Sequence, residues 1–364
     1  MKNHYKLVLL LVIFLFIGIK AASADEIAFE KGSFTEVLQK AKTQNKIVMI
    51  DFVTDWCIWC KHLDMRVYNN KEVVDYATEH QINWKTDAEK EGKDLAKKYN
   101  VTGFPTLVFI DAEGKEIDKI VGFYPAPDFL EMMKKINEGK STLEYLQLQY
   151  SNNKTDVKTN LDLAAKLIEQ EKYTEAKQNL DFIISRDPSN SIGYTDDAEI
   201  MLAMIAVKDK APEAYITEVS ALLNKYPGTN LEKDAKIFLS DKYMEAKNED
   251  KAFELYTGLV QKFPKDDMVN FYMGQYYIGK ARKINIDSAA TEDQWNEALK
   301  YVDTSLPYLT GGIFEASANN IKADLYYKLG DIENAKLAID RTILLWPDNK
   351  TYNKTKDKIY SSSN

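Results

Sequence analysis

The residues best suited to chemistry in this 364-residue sequence are two cysteines separated by two positions, Cys57 and Cys60. They are the only cysteines in the chain, and a disulfide between them closes almost no loop, so it adds little stability through loop entropy. Chemistry therefore explains the pair better than architecture. A Cys-x-x-Cys at the start of a helix is a redox motif, because the helix dipole and free N–H groups favour the first thiolate. We predict Cys57 as the attacking nucleophile and Cys60 as the resolving thiol.

The composition argues against several other classes of function. Lysine and arginine total 48 against 56 aspartates and glutamates, a net charge of −8, whereas nucleic-acid binders show a basic field. We therefore predict no nucleic-acid partner. Three histidines and two cysteines are too few for a multi-ligand zinc site or a disulfide framework.

A histidine two residues after the second cysteine offers an alternative use of the pair. The pattern Cys57-x-x-Cys60-x-His62 is able to hold a thiophilic metal such as Cu(I). Redox chemistry already explains both cysteines, so we predict no metal and no cofactor. On this interpretation His62 is an exposed helix residue.

Residues 1–24 have the features of a secretory signal peptide. Lys2 and Lys6 supply the positive start, residues 7–19 form a nearly unbroken apolar run, and a small-residue triplet ends at Ala24. The alternative is an uncleaved anchor, but the run is shorter than the about 20 apolar residues that a membrane span needs. We expect cleavage after Ala24 and a periplasmic or secreted protein.

The region that carries the cysteines, residues 25–140, mixes helix and strand signals. The predicted elements are a helix over 34–43, a strand over 46–53, a helix from residue 57, a strand over 82–85, a helix over 91–99, strands over 106–110 and 116–121, and a helix over 126–137. The first two strands are joined through a helix and should be parallel, and the last two should form a hairpin. These signals predict an α/β domain.

The motifs of this region together resemble thioredoxin. They are the strand residues Ile50-Asp51-Phe52, the run Asp55-Trp56-Cys57-Ile58-Trp59-Cys60-Lys61, and the later Gly103-Phe104-Pro105-Thr106. The predicted order of elements matches that fold. The region also resembles the thioredoxin-like domains of periplasmic thiol:disulfide reductases. The resemblance covers roughly residues 30–140.

The resemblance implies roles for further residues. Asp51 would be the buried acid that takes or relays the proton of Cys60, and burial would raise its pKa. Pro105 would follow a cis bond and expose the backbone of Phe104 to a substrate, and Gly122 would keep the groove open. The predicted substrate-binding residues are Trp56, Ile58, Trp59, Gly103, Phe104, Pro105 and Gly122.

The sequence departs from thioredoxin between the cysteines. Thioredoxin has Gly-Pro there, whereas this chain has Ile58 and Trp59, so the redox potential does not carry over. No histidine lies between the cysteines, which favours a reductase over a strong oxidant or an isomerase. Trp56 would shield the cysteines from water. The apolar Ile58 and Trp59 suggest a contact surface for a protein partner, although Trp59 fits a core position equally well.

The rest of the chain repeats. After a polar linker over 141–157, residues 158–364 form units of two amphipathic helices and a proline stop, with stops at Pro188, Pro227, Pro264, Pro307 and Pro347. A unit of about 40 residues with paired helices indicates an all-α solenoid of tetratricopeptide-like helix hairpins. An alanine precedes three of the prolines by twelve residues, where it lets paired helices approach. The alternative is an irregular helical bundle.

These features predict an exported thiol–disulfide oxidoreductase that reduces protein disulfides, with repeats that recruit protein partners. Its partners would be protein disulfide or thiol substrates and, by inference, a membrane electron donor. Two alternatives remain open. One is a repeat-type scaffold or chaperone in which the thioredoxin-like domain is an adaptor, and the other is a disulfide oxidase or isomerase. The oligomeric state is not predicted.

Overall fold

A computed structural model describes residues 26–362 of the chain. The segment predicted as a signal peptide, residues 1–24, lies outside the described residues. Within residues 26–362 no helix combines the length and the apolar character that crossing a membrane requires. The described chain begins with an α/β domain and continues as paired helices.

The α/β domain surrounds one mixed sheet. Its elements are α1 (Phe34–Gln44), β1 (Ile47–Val53), α2 (Ile58–Arg66), α3 (Lys71–His80), β2 (Gln81–Asp87), α4 (Lys93–Lys98), β3 (Thr106–Ile110), β4 (Glu116–Val121) and α5 (Ala126–Asn137). The strand order is β2-β1-β3-β4. Strand β1 pairs parallel with β2 and antiparallel with β3, and β3 and β4 form a hairpin. Both pairing predictions are confirmed.

Two helices, rather than the single predicted one, connect β1 to β2. Helix α2 ends at Arg66, and Asn70 then caps a new helix by accepting hydrogen bonds from the N–H groups of Glu72 and Val73. Helix α3 buries Val73 and two further apolar residues against the sheet. The apolar spacing after an asparagine cap was the signal that the sequence prediction missed.

The alternation of side chains along β1 decides which residues lie beneath the redox helix. Met49 belongs to the apolar core that contains residues of α2, α3 and α5, whereas Val48 and Ile50 belong to the core on the opposite face, with α1 and α4. Successive strand residues point to opposite faces. Asp51 therefore lies on the same face as Met49, under α2.

The remainder of the chain is a series of helix hairpins. Its helices are α6 (Leu143–Asn152), α7 (Val157–Glu169), α8 (Tyr173–Arg186), α9 (Thr195–Val207), α10 (Pro212–Lys225), α11 (Glu232–Glu245), α12 (Glu249–Lys262), α13 (Asp267–Ile286), α14 (Glu292–Ser305), α15 (Gly312–Lys328), α16 (Ile332–Leu345) and α17 (Lys350–Ser361). Five hairpins run from α7/α8 to α15/α16, and each predicted proline stop lies two residues beyond the second helix. The prediction of a helix-hairpin solenoid is confirmed.

The stretch predicted as a polar linker, residues 141–157, is largely helical. Thr142 caps α6 by accepting a hydrogen bond from the N–H of Tyr145. Leu143, Leu146 and Tyr150 pack against the core formed by α7 and α8. Because these apolar residues recur at helical spacing, α6 joins the first hairpin instead of forming a free connection.

Small residues set the distances between paired helices. Ala176, Ala252 and Ala335, which precede the prolines by twelve residues, are fully buried. Gly274 of α13 has the same role on a longer helix, because Leu309 occupies the space where a β-carbon would lie. Gly279, five residues further along α13, has no atom of a packed neighbour within 4 Å of the place that a β-carbon would occupy.

The two glycines give a matched test of this packing. We expect Gly274→Ala to lower the free energy of unfolding by about 1–2 kcal/mol, because the clash with Leu309 exceeds the gain in helix propensity. Gly279→Ala should raise it by about 0.5–1 kcal/mol. Urea unfolding followed by circular dichroism measures both. Equal stabilisation by the two substitutions would contradict the packing described for α13.

Candidate active site

The two cysteines form a disulfide at the start of α2. Cys57 is the N-cap residue of the helix, and its Sγ accepts a hydrogen bond of 3.0 Å from the backbone N–H of Cys60. Strand β1 ends at Val53, so a short loop delivers Cys57 directly from the centre of the sheet to the positive end of the helix dipole. The same N–H group and dipole favour a thiolate at Cys57 when the disulfide is reduced.

A cluster of charged residues lies on the sheet beneath this helix. Asp51 of β1 stands opposite Lys85 of β2, and its Oδ2 lies 3.3 Å from the Lys85 Nζ. Lys85 also forms an ion pair with Asp64 of α2. The Oδ1 of Asp51 is buried and has no hydrogen-bond partner among the described residues. The cluster therefore contains two carboxylates that share one cation.

Burial controls the protonation of this cluster. It raises the pKa of Asp51 to about 6, because the attraction of Lys85 only partly offsets the lost hydration of the carboxylate. Burial opposes the charge of Lys85, but Asp51 and Asp64 outweigh it and raise its pKa as well. Asp51 thus has the raised pKa that the resemblance implied, and this pKa is close enough to neutral pH for general acid–base catalysis.

The loop before β3 presents unpaired backbone beside the cysteines. The Phe104–Pro105 peptide bond is cis. The carbonyl of Pro105 accepts a 2.9 Å hydrogen bond from the N–H of Gly122, whereas the N–H and C=O of Phe104 have no hydrogen-bond partner within residues 26–362. At Gly103 and at Gly122, no atom lies within 4 Å of the place that a β-carbon would occupy. These residues leave the backbone of the loop before β3 open next to the disulfide.

The apolar residues around the cysteines face different surroundings. Trp56 is 63% exposed, donates a hydrogen bond from Nε1 to Glu89 and lies edge-on to Phe104. Ile58 is 49% exposed. Trp59 is half-buried and packs against residues of the repeats. One residue between the cysteines is therefore accessible, and the other contacts the repeats of its own chain.

Trp59 is the centre of an interdomain aromatic cluster. We use this name for Trp59, His62, Phe123, Phe271 and Phe314. The Trp59 ring lies 5.4 Å from Phe123 of the α/β domain, 4.4 Å from Phe271 of α13 and 5.1 Å from Phe314 of α15, measured between centroids. The cluster joins the redox helix α2 to two helices of the repeats.

His62 belongs to this cluster and is buried, so the prediction of an exposed histidine was wrong. Its ring lies 4.5 Å from Phe314, and its Nδ1 has no partner among the described residues. Burial, with a smaller contribution from the charge of Arg66, lowers the pKa of His62 to about 4. The neutral ring fills apolar space. No group of three or more metal-ligating side chains occurs within residues 26–362.

Polar contacts extend the interface on either side of the aromatic cluster. Arg66 of α2 lies 3.4 Å from Asp267 of α13 and donates to the carbonyl of Thr310. At the other end, the Nζ of Lys166 in α7 lies 2.5 Å from the Oδ1 of Asp118 in β4, and both side chains are nearly buried. The repeat side chains named here come from α7, α13 and α15, the first helices of their hairpins.

The disulfide lines a cleft between the α/β domain and the last hairpins. The cleft has a volume of about 380 Å³ and is bordered by Trp56, Cys57, Ile58, Trp59, Phe104, Phe271, Gln275, Arg282, Ile313, Phe314, Ser317, Trp346 and Tyr352. Five of the predicted site residues form one wall, namely Trp56, Cys57, Ile58, Trp59 and Phe104. The other predicted site residues, Asp51, Cys60, Gly103, Pro105 and Gly122, do not line the cleft. Sequence reasoning missed the second wall, because no motif connects positions more than 200 residues apart.

Comparison with known proteins agrees with the geometry of the first wall. Residues 34–137 match a family model described as a thioredoxin-like domain. The disulfide bond reductase DsbH of Chlamydia pneumoniae is 34% identical over 104 residues, which are 26% of this chain and 62% of that protein. The thiol:disulfide interchange protein DsbD of Actinobacillus pleuropneumoniae is 31% identical over 123 residues, 32% of this chain and 21% of that protein.

The chain therefore spans less than two thirds of the length of these curated relatives. Among solved structures, YrrB, described as a TPR protein with an unusual peptide-binding site, aligns with 59% of this chain and 100% of its own at 15% identity, with a TM-score of 0.37. The match to the family model confirms the thioredoxin-like domain that the cysteine motif predicted. The helical hairpins are established by the helices of the structure and not by this match.

The two tryptophans beside Cys57 test the role of the aromatic cluster. We expect Trp59→Ala to lower the free energy of unfolding by about 3 kcal/mol, because it empties the space between three aromatic rings. It should also increase the radius of gyration measured by X-ray scattering. Trp56→Ala, at an exposed position, should cost about 1 kcal/mol or less and leave the radius unchanged. Equal effects of the two substitutions would contradict the assignment of Trp59 as the centre of the interdomain aromatic cluster.

Asp51 should make stability depend on pH. Its pKa rises from 3.8 to about 6 on folding, so its neutral form is favoured in the folded chain, and stability is lost as pH rises through that interval. Asp51→Asn should therefore stabilise the protein by about 3 kcal/mol above pH 6 and by little below pH 4. Lys85 keeps its ion pair with Asp64 in this variant.

Urea unfolding of wild type and variant between pH 4 and pH 7 measures this difference. The comparison isolates Asp51, since His62 titrates in both proteins. Asp55→Asn, which removes an exposed carboxylate near the site, controls for the change in net charge. A difference between Asp51→Asn and wild type that stays constant over this range would show that the Asp51 pKa is not raised.

Proposed function

We propose that this chain is an exported thiol–disulfide oxidoreductase that reduces protein disulfides through Cys57 and Cys60. The observation that carries the proposal is the position of Cys57, whose Sγ accepts a backbone hydrogen bond at the N-terminus of α2. A thiolate formed there is stabilised before it attacks. The neighbouring Cys60, one helical turn away, is available to complete the exchange.

The reaction proceeds in two exchanges from the reduced protein. The Cys57 thiolate attacks one sulfur of the substrate disulfide, which releases the other substrate sulfur as a thiolate and forms a mixed disulfide. Cys60 then loses its proton and attacks the Sγ of Cys57, which releases the second substrate thiol and forms the Cys57–Cys60 disulfide. Two electrons pass from the protein to the substrate.

Asp51 is the residue we assign to the proton of Cys60. It lies under α2, and its pKa of about 6 allows it to accept a proton near neutral pH. Lys85 stabilises the ionised form. These properties suit a general base that acts on a neighbouring buried thiol, directly or through water.

The reducing direction and the export of the protein rest on separate arguments. No histidine stands between the cysteines, and the similar Chlamydia pneumoniae protein is described as a disulfide bond reductase. The signal-like residues 1–24 support export, after which the reduced state would depend on a membrane electron donor. Protein disulfides and thiols are the substrates we propose, and the repeats contribute to holding them.

The reduction potential of the Cys57–Cys60 pair tests the direction. Equilibration with a dithiothreitol or glutathione couple should give a value near about −270 mV, as in thioredoxin. A value near about −120 mV would mark an oxidant that forms disulfides and would overturn the proposed direction.

Serine variants test the assignment of the two thiols. Cys60→Ser should accumulate a mixed disulfide with a disulfide-bonded protein substrate, because nothing resolves it, whereas Cys57→Ser should accumulate none. Mass spectrometry of alkylated samples measures both. A biological role that survived in the double variant Cys57→Ser, Cys60→Ser would favour the alternative in which the repeats act as a scaffold.

A further inference from the structure

The cleft beside the disulfide is walled on one side by the repeats. Residues of α13, α15 and α17, together with Trp346, face Cys57 and Phe104 across a volume of about 380 Å³. This volume lies within the range of about 300–1,000 Å³ that is usual for ligand sites. Since no residue of the second wall belongs to the thioredoxin-like domain, its contribution to binding is a property of the whole chain.

Access to the nucleophile passes through this cleft. Cys57 is 3% exposed, so its sulfur is not presented on an open surface. Phe104 lines the same space, and its N–H and C=O, which have no partner among the described residues, are suited to backbone pairing with an extended segment. A flexible segment of a substrate, rather than a folded surface, fits these constraints.

The charge in the cleft is of one sign. Its lining contains aromatic and aliphatic side chains, two polar side chains and one charged residue, Arg282, and no carboxylate. Arg282 is exposed, and within residues 26–362 no carboxylate oxygen lies within 4.0 Å of its guanidinium. Among the described residues that line the cleft, Arg282 is the only charged one, and its hydrogen-bond donors are free to bind an anion.

The aromatic residues near Arg282 shape the rest of this wall. Trp346 and Tyr352 meet edge to face with centroids 5.6 Å apart. Arg282 and Tyr352 line the same cleft. An aromatic or aliphatic side chain of a substrate would contact Trp346 and Tyr352 while a nearby carboxylate reached Arg282.

We propose that the last two hairpins and α17 select the substrate, and that the preferred segment carries an acidic residue within a few positions of its reactive cysteine. Arg282 binds the acidic side chain, and Trp346 and Tyr352 contact its apolar neighbours. This inference rests on the proposed function, because it names the substrate class for the Cys57 site. Arg282 acts as a specificity residue and takes no part in the exchange of sulfurs.

Peptides that differ only in charge test the proposal on the full chain. Three decapeptides share a central cysteine, held as a mixed disulfide with 2-mercaptoethanol, and carry glutamate, glutamine or lysine two and three residues away. The reduced protein attacks the peptide sulfur through Cys57 and releases 2-mercaptoethanol. Cys60 then releases the peptide thiol, so each peptide oxidises one protein dithiol. Acid quenching and mass spectrometry give the second-order rate constants.

We expect wild type to react fastest with the glutamate peptide and slowest with the lysine peptide, by about fivefold or more at low ionic strength. The chain as a whole has a net charge of −8, so long-range attraction alone would favour the lysine peptide. In Arg282→Glu the order should reverse. Arg186→Glu makes the same change of charge on α8, outside the cleft, and should retain the order of wild type.

The small neutral disulfide of 2-mercaptoethanol distinguishes a failure of the proposed substrate selection from a failure of the proposed function. It should react at equal rates with wild type, Arg282→Glu and Arg186→Glu, since it carries no charge that residue 282 could attract or repel. The proposed substrate selection is wrong if the protein reduces this small disulfide but reacts with the three peptides at one rate. It is also wrong if Arg282→Glu keeps the wild-type order of peptide rate constants. If wild type fails to reduce it at all, the proposed function itself is wrong.

Discussion

The packing of Trp59 against the repeats is the contact on which the arrangement of the active site depends. This residue lies between the two cysteines, so whatever holds its ring also orients the first turn of α2 and the disulfide. Phe271 and Phe314 of the repeats contact the ring, and so does Phe123 of the α/β domain. Aromatic contacts of this kind combine a large buried area with a preferred geometry. The cleft between the domains follows from that orientation.

The charged cluster under α2 has the opposite effect on stability from the aromatic packing. It lowers the stability of the fold and supplies a reactive carboxylate. A buried aspartate without enough hydrogen bonds is costly, and Lys85 recovers only part of the cost because it is shared with Asp64. The dense packing of the sheet around it tolerates this cost. Met49 and its neighbours on the α2 face are fully buried, so the surrounding core holds Asp51 in place. A domain can retain a destabilising site when its core is otherwise well packed.

Local signals predicted most of the fold and the first wall of the site. The proline stops gave the hairpin boundaries, and the strands over 106–110 and 116–121 were predicted residue for residue. The errors came from local signals that were overlooked, such as the asparagine cap of α3, or from tertiary burial, as for His62 and α6. Contacts such as Trp59 with Phe314 join residues that are far apart in the chain and leave no local pattern. For the same reason, no local sequence pattern identified Arg282 as a residue of the cleft.

The pairing of the basic residues near the active site and at the domain interface shows why an unpaired Arg282 is significant. Lys85 and Lys166 are largely buried, and each has two carboxylate partners, because an unpaired buried cation would be too costly. Arg66, half-buried beside the aromatic cluster, has Asp267. Arg282 is exposed at the rim of the cleft, where hydration makes an unpaired guanidinium inexpensive in the free protein. An anion that displaces this water gains an ion pair without breaking one, which is the condition for a cation to contribute to substrate selection.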